Sequence, residues 1–286
     1  MNEQPKTTSE QPLTPAEILH ILKNNEVETI NPLANGKNSP DLIELQGGIS
    51  GIFKRKKKEV HLDSRVEKGT YFRRETAAYE VSKLLGYGHV PETTIRKVDG
   101  DIGSVQRVVD NVNMLGFMSK SETKDIPIGQ YVEMFVFDYI IFNRDRHRGN
   151  VLVKDGQLIP IDHGASFGNS SMVFKLKPHF DGDFDPVDEE VSPEMKNALS
   201  ELVENDDKME ELFMTLKKYL KFGEAIACVK RIEFVYRELK SNDWMITTNM
   251  VLSRKFNPES DETSLEQNDP QFDLYSTSDK ELLEAI

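Results

Sequence analysis

The sequence predicts an α+β fold in two lobes, strand-rich first and mostly helical afterwards. Three patterns predict it. Short apolar runs with one helical stretch fill residues 41–112, and Tyr131–Phe142, apolar nearly all round, reads as a buried helix. From about residue 192 to 254 apolar positions recur at helical spacing. A length of 286 residues suffices for such a core. Composition excludes several other classes. A net charge of −13 disfavours a general nucleic-acid binder, which needs a basic face to neutralise phosphates. The single Cys228 excludes an intramolecular disulfide and a cysteine-based metal site. No stretch approaches the roughly 18–20 apolar residues of a membrane span, and Met1–Pro5 lacks a signal-peptide pattern. The expectation is a cytoplasmic protein.

The elements follow in order. Residues 1–13 are polar and carry two prolines, a disordered composition. Thr14-Pro15-Ala16-Glu17 starts a helix over Pro15–Lys23: a capping Thr, a Pro where its missing N–H costs nothing, and a Glu closing a capping box. A strand-like run Asp41–Gln46 leads through Gly47-Gly48-Ile49-Ser50-Gly51 into Ile52-Phe53-Lys54 and a basic cluster. Tyr71–Leu85 is helical, with Ala77, Ala78, Val81, Leu84 and Leu85 on one face and Gly86 as its stop. Val105–Val109 reads as a strand. Val151–Val153 and Leu158–Ile161 flank Asp155-Gly156, a strong hairpin signal. Ser192-Pro193 opens the helical part. Glu259–Ile286 is acidic with Lys280 as its one base, and is expected to be a solvated tail ending in a short helix. The chain thus divides into an N-terminal extension (1–40), a first lobe (41–112), a second lobe (113–258) and an acidic tail (259–286).

The segment Asn143-Arg144-Asp145-Arg146-His147-Arg148-Gly149-Asn150 lies between the buried helix and the hairpin, and the hairpin ends at Asp162-His163-Gly164. Polar turns commonly contain such residues. Here, however, an Asp, an Asn five residues later and a second Asp after a hairpin stand in the order that kinases use. There a loop Asp accepts the proton of the attacking hydroxyl, and the Asn and second Asp hold the phosphate-bridging metals. Mg²⁺ takes the hard oxygens that Asn and Asp supply.

The stretch "DYIIFNRDRHRGNVLV…LIPIDHGASFG" resembles the catalytic and metal-binding loops of phosphatidylinositol 3-/4-kinase-like and HipA-like kinases, in which D-R-H-x-x-N replaces the H-R-D order of ordinary protein kinases. Small bacterial members also resemble the upstream "GGISGIFKRKKKE…YFRRETAAYEVSKLLGYGHVPET". The resemblance covers about residues 41–170 and implies a two-lobed protein-kinase-like fold using ATP and Mg²⁺. Under it Asp145 is the catalytic base, and Asn150 and Asp162 are metal ligands. His147 is a structural or phosphate-contacting member of the loop, or is held by the backbone. Gly47, Gly48, Ser50 and Gly51 match a phosphate-covering turn. Lys54 is the candidate lysine for the α/β-phosphates, with Lys56 in reserve because strand alternation puts Lys54, Lys56 and Lys58 on one face. Glu75 is the ion-pair partner of that lysine. The strand with Gln106 and Val108 enters the hinge whose backbone receives adenine.

The turn carries His163 where protein kinases place a Phe, and no A-P-E element follows. These departures leave protein, lipid and small-molecule hydroxyls open as acceptors, with a protein (Ser/Thr) favoured because no basic amphipathic helix is apparent. An AMP transferase, a non-catalytic binding module and a metal-dependent hydrolase are the competing classes. Lys54–Lys58 could also serve targeting or anionic lipid, but reads first as a solvated strand end. Asp181–Pro186 lacks the Gly and Glu of an EF-hand.

Overall fold

A computed structural model describes residues 12–33, 39–60, 66–168, 189–246 and 277–285. The expected two lobes are present. The first is an antiparallel five-stranded sheet of β1 (Val27–Pro32), β2 (Asp41–Leu45), β3 (Ile49–Arg55), β4 (Thr93–Val98) and β5 (Asp101–Arg107), in the order β1-β2-β3-β5-β4. Among the described residues each face carries one helix. α1 (Pro15–Asn24) starts with the expected capping box. It lays Ile18 and Leu22 on Ile43, Leu45, Phe53, Val98 and Val105, and Arg96 of β4 donates to the Leu22 and Asn25 carbonyls at its end. α2 (Tyr71–Leu84) packs on β4 and β5 from the opposite face, where Ile95 joins Phe72, Ala77, Ala78 and Val81. Residues 15–32, expected as an extension, are therefore part of this lobe.

Beyond the connection 108–112, where the hinge is expected, come β6 (Asn113–Met114), α3 (Lys120–Thr123), α4 (Ile128–Ile140), β7 (Val151–Lys154), β8 (Gln157–Pro160), β9 (Glu189–Glu190), α5 (Pro193–Val203), α6 (Asp206–Tyr219), α7 (Phe222–Ser241), β10 (Met245–Ile246) and α8 (Asp279–Ala285). α4 is the buried helix the sequence predicts, packed between α7 and β8. β7 and β8 form the expected hairpin. Asp155 (φ 50°) and Gly156 (φ 78°) both take the left-handed backbone that a two-residue turn matched to strand twist requires. The lobes meet where α2 packs on α6.

Three differences from the expected elements have physical causes. β3 ends at Arg55, and Lys56–Lys58 turn as a short 3₁₀ segment, so strand alternation does not extend to Lys56. β5 starts earlier than expected, at an Asp99-Gly100 hairpin, and stops at Arg107, because Val108 leaves the ladder with β4. The terminal helix is real but not solvated along its length: Leu282 is wholly buried in the main core. Residues 247–276, which include most of the expected tail, and Asp181–Pro186 lie outside the described residues.

Candidate active site

The loop after α4 is built on one buried carboxylate. Asp138, wholly buried, accepts hydrogen bonds from Asn143 Nδ2 (3.0 Å) and from Arg146 Nε (2.9 Å) and Nη2 (3.1 Å). Arg146 Nη1 then donates to the carbonyls of Asn150 (2.5 Å) and Ile161 (2.8 Å), tying the loop to both strands of the hairpin. Asn143 Oδ1 accepts from the Asp145 N–H (3.1 Å), and Asn150 Nδ2 donates to the Asp145 carbonyl (3.0 Å). Asp145 is thereby held at the backbone while its side chain is exposed. Hairpin register does the rest. Val151 pairs with Pro160, and the Ile161 N–H donates to the Asn150 carbonyl (3.0 Å), which sets Asn150 beside the entry to Asp162.

Lys54 reaches the same place from the first lobe. Its Nζ donates to Glu75 of α2 and to Asp162 Oδ1 (2.8 Å). The other Glu75 oxygen accepts from the His163 N–H (2.9 Å), so one carboxylate touches both the lysine and the turn. Burial alone would push the Glu75 carboxyl up, but the Lys54 charge and its bonding to His163 outweigh it and hold the group well below the carboxylate range. Burial likewise disfavours the charged Lys54, and the charges of Asp162 and Glu75 reverse that, keeping it a cation. Asp162 sits at φ 59°, a left-handed backbone that Asp tolerates better than most residues.

The structure brings together Lys54, Glu75, Asp162, Asn150 and the loop of Asp145. Other expected residues stand elsewhere. Gly48, Ser50 and Gly51 belong to the β2–β3 hairpin at the hinge end of the sheet, where the Ser50 carbonyl accepts from the Val108 N–H (2.9 Å). Ser50 is four residues, or roughly 13 Å of strand, from Lys54. A Cβ on Gly51 would come within 2.5 Å of Val105 Cγ1, so its glycine is required by close packing on β5. The segment that leaves the sheet near Lys54 is instead the β1–β2 connection, since Asp41 pairs with Phe53. Val108 has its N–H committed to Ser50, and Gln106 is buried with Nε2 donating to Thr93 Oγ1 (3.0 Å). His147 is exposed, and its Nδ1 accepts from the Gly149 N–H (3.0 Å), the backbone-held alternative.

Lys56 turns away to Asp279 (2.5 Å). The remaining basic cluster is paired: Arg55, buried, with Asp41 and Asp101, and the still solvent-exposed Lys57 and half-buried Lys58 with Asp101 and Asp41. Sequence reasoning missed Asp138 altogether and assigned no contacts to Arg146 and Arg148. Both serve backbone carbonyls, Arg148 those of Leu115 and Met118. The signal for Asp138 was a carboxylate on a mostly apolar helix.

For a divalent cation, the side-chain donors present are the Asn150 amide oxygen and the Asp162 carboxylate. Among the described residues no three His, Cys, Asp or Glu side chains form a metal cluster. Two hard oxygens fit Mg²⁺ of the kind completed by phosphates and water, and do not fit a self-contained metal centre.

Comparison with known proteins shows what the chain is similar to. Residues 120–225 match the family described as phosphatidylinositol 3- and 4-kinase. Phosphatidylinositol 4-kinase gamma 3 of Arabidopsis thaliana is 40% identical over 90 residues, covering 29% of this chain and 14% of that protein. Phosphatidylinositol 4-kinase gamma 7 of the same plant is 35% identical over 133 residues, 36% of this chain and 20% of the relative. The chain thus spans a fifth or less of the length of these curated relatives. Among solved structures, Golgi casein kinase with Mn/ADP bound superposes with a TM-score of 0.53 at 14% identity, covering 79% of this chain and 75% of that one. Hydra Fam20 with sugar gives 0.50 at 16%, covering 79% and 88%. This chain has a protein-kinase-like fold, and its residues 120–225 are similar to phosphatidylinositol 3- and 4-kinases. The sequence matches carry the phosphatidylinositol-kinase side of the expected resemblance, and its HipA-like side rests on the motif alone. The relatives bear lipid-kinase names, so the sequence-based preference for a protein acceptor gains no support from them.

Proposed function

We propose that this protein is an ATP-dependent kinase that transfers the γ-phosphoryl group to a hydroxyl of a phosphatidylinositol headgroup. The observation that carries the reading is the meeting of Lys54, Glu75 and Asp162, from three separate elements, beside a loop that presents Asp145 and Asn150. Asp145 aims the acceptor hydroxyl and takes its proton as the oxygen–phosphorus bond forms and ADP leaves. Lys54, kept cationic and oriented by Glu75, is the positive charge for the α/β-phosphates. Asn150 and Asp162 would hold Mg²⁺, which when bound neutralises charge on the phosphate oxygens. Ile52, on the same face of β3 as Lys54 and partly exposed, offers the base an apolar cover, and backbone beyond Val108 receives its edge. Most of the acceleration comes from positioning and charge stabilisation. The lipid acceptor is supported by the names of the sequence relatives.

The test uses ATP labelled at the γ- or the α-phosphate, offered with vesicles containing phosphatidylinositol and, separately, with soluble proteins. The expected result is γ-label on lipid for the parent, reduced roughly a thousandfold or more in Asp145→Ala and Asp162→Ala. Label on protein alone overturns the lipid acceptor. Transfer of α-label identifies AMP transfer instead, and equal labelling by parent and variants overturns the site.

A further inference from the structure

The joint between β3 and α2 is closed twice. The inner closure is the Lys54–Glu75 pair. The outer one runs through Asp279, the first residue of α8 and more than two hundred positions from either element it touches. Asp279 Oδ2 accepts from Lys56 Nζ (2.5 Å), two residues past Lys54, and Oδ1 accepts from Arg73 Nη2 (2.6 Å), two residues before Glu75. Arg73 Nη1 also donates to the Thr277 carbonyl (3.0 Å). A two-residue step on a helix of 3.6 residues per turn is close to half a rotation, so Arg73 and Glu75 lie on opposite sides of α2. The helix is therefore gripped from inside by Lys54 and from outside by Asp279.

The outer grip is anchored. Leu282 is wholly buried in the main core and Leu283 packs against it, while Ser278 and Glu281 cap α8 reciprocally: the Glu281 N–H donates to Ser278 Oγ (3.2 Å) and the Ser278 N–H to Glu281 Oε2 (2.8 Å). Burial pushes the Asp279 carboxyl up, but its hydrogen bonds from Lys56 and Arg73 outweigh that and hold it ionised below its ordinary value. Arg73 is almost fully covered, so loss of Asp279 leaves a buried guanidinium without this carboxylate.

We propose that Asp279 is a positioning residue for phosphoryl transfer, and that the C-terminal helix is the strut that keeps α2 against β3 and thereby keeps Glu75 on Lys54. The proposal rests on the kinase reading above, because it acts through the phosphate-binding lysine. Its test uses the full chain in four forms: parent, Asp279→Ala, Asp279→Glu and, as a control on the same helix, the exposed Lys280→Ala. Two quantities are read: kcat/KM for ATP, and hydrogen exchange of the α2 amides. Asp279→Ala is expected to lower kcat/KM roughly tenfold and speed α2 exchange, while Asp279→Glu recovers most of both and Lys280→Ala matches the parent. Parent-level values in Asp279→Ala overturn the proposal, as does a loss in Asp279→Glu as deep as in Asp279→Ala. If the parent itself transfers no phosphate, the kinase reading fails, and α2 exchange alone still decides whether the strut exists.

Discussion

Asp138 shows how much one side chain holds. It is a charged residue inside an apolar helix, and it exists there because Arg146 and Asn143 satisfy both oxygens. Removing one partner of a buried ion pair costs more than the pair contributes, since the other charge stays behind. Asp138→Asn is therefore expected to destabilise the protein by about 3 kcal/mol, seen as a lower urea midpoint at unchanged slope, and to lower kcat as the Asp145 loop loses its tie. Glu75 makes a pH prediction. Its folded pKa lies below the ordinary 4.5, so the unfolded chain binds the proton first and the stabilisation is present above that value. The stability difference between parent and Glu75→Gln should be largest above pH 4.5 and shrink as pH falls below it; a constant gap across pH 3–7 would contradict the assignment. At this scale the sequence is readable where chemistry is local: Asp145, Asn150 and Asp162 stand out as candidates by type and order, and the structure places their loop and turn side by side. Lys54 could be separated from Lys56 only once β3 was seen to stop at Arg55.

α2 is the element on which the site turns, and its start is unusual. Thr70 makes no side-chain cap. Glu59, from the connection after β3, accepts from the N–H groups of Gly69 (2.7 Å), Tyr71 (3.2 Å) and Phe72 (2.9 Å) instead. One buried carboxylate thus satisfies donors that a helix N-terminus leaves open, a turn ahead of Glu75. Glu59→Ala strands those donors and should cost about 1–3 kcal/mol, with exchange in the first turn of α2 rising before that in its last. Thermal melts and residue-resolved exchange check both parts. No spacing rule announces such a cap, because it comes from outside the helix. The β7–β8 hairpin is the opposite case: Asp155-Gly156 supplies both left-handed residues locally, so turn and register follow from the sequence.

Across the whole molecule the lobes are joined by a buried pair, Arg74 of α2 with Glu224 of α7. Arg74 Nη1 also donates to the Ser166 and Phe167 carbonyls, just beyond the Asp162 turn. The Arg74 contacts thus span both lobes and the segment between them. Arg74→Met alone, which leaves the buried Glu224 carboxylate behind, should cost about 3–5 kcal/mol. Combining Arg74→Met with Glu224→Leu should recover much of that loss, since apolar replacement removes both charges together. Denaturation of the two single variants and the double completes the cycle, and strict additivity would show that the two residues do not act as a pair.

The sequence by itself determined what local rules govern: the two-lobe order, the buried α4, the hairpin turn and the order of the candidate oxygen donors, all expressed within a few residues of one another. Only the tertiary structure decided which end of the sheet faces the chemistry, which lysine reaches Asp162, and that Asp279 returns to grip α2. Those outcomes depend on strand register and on pairings between residues far apart in the chain. Spacing carries no record of them, because their energy is realised only when the lobes close on one another.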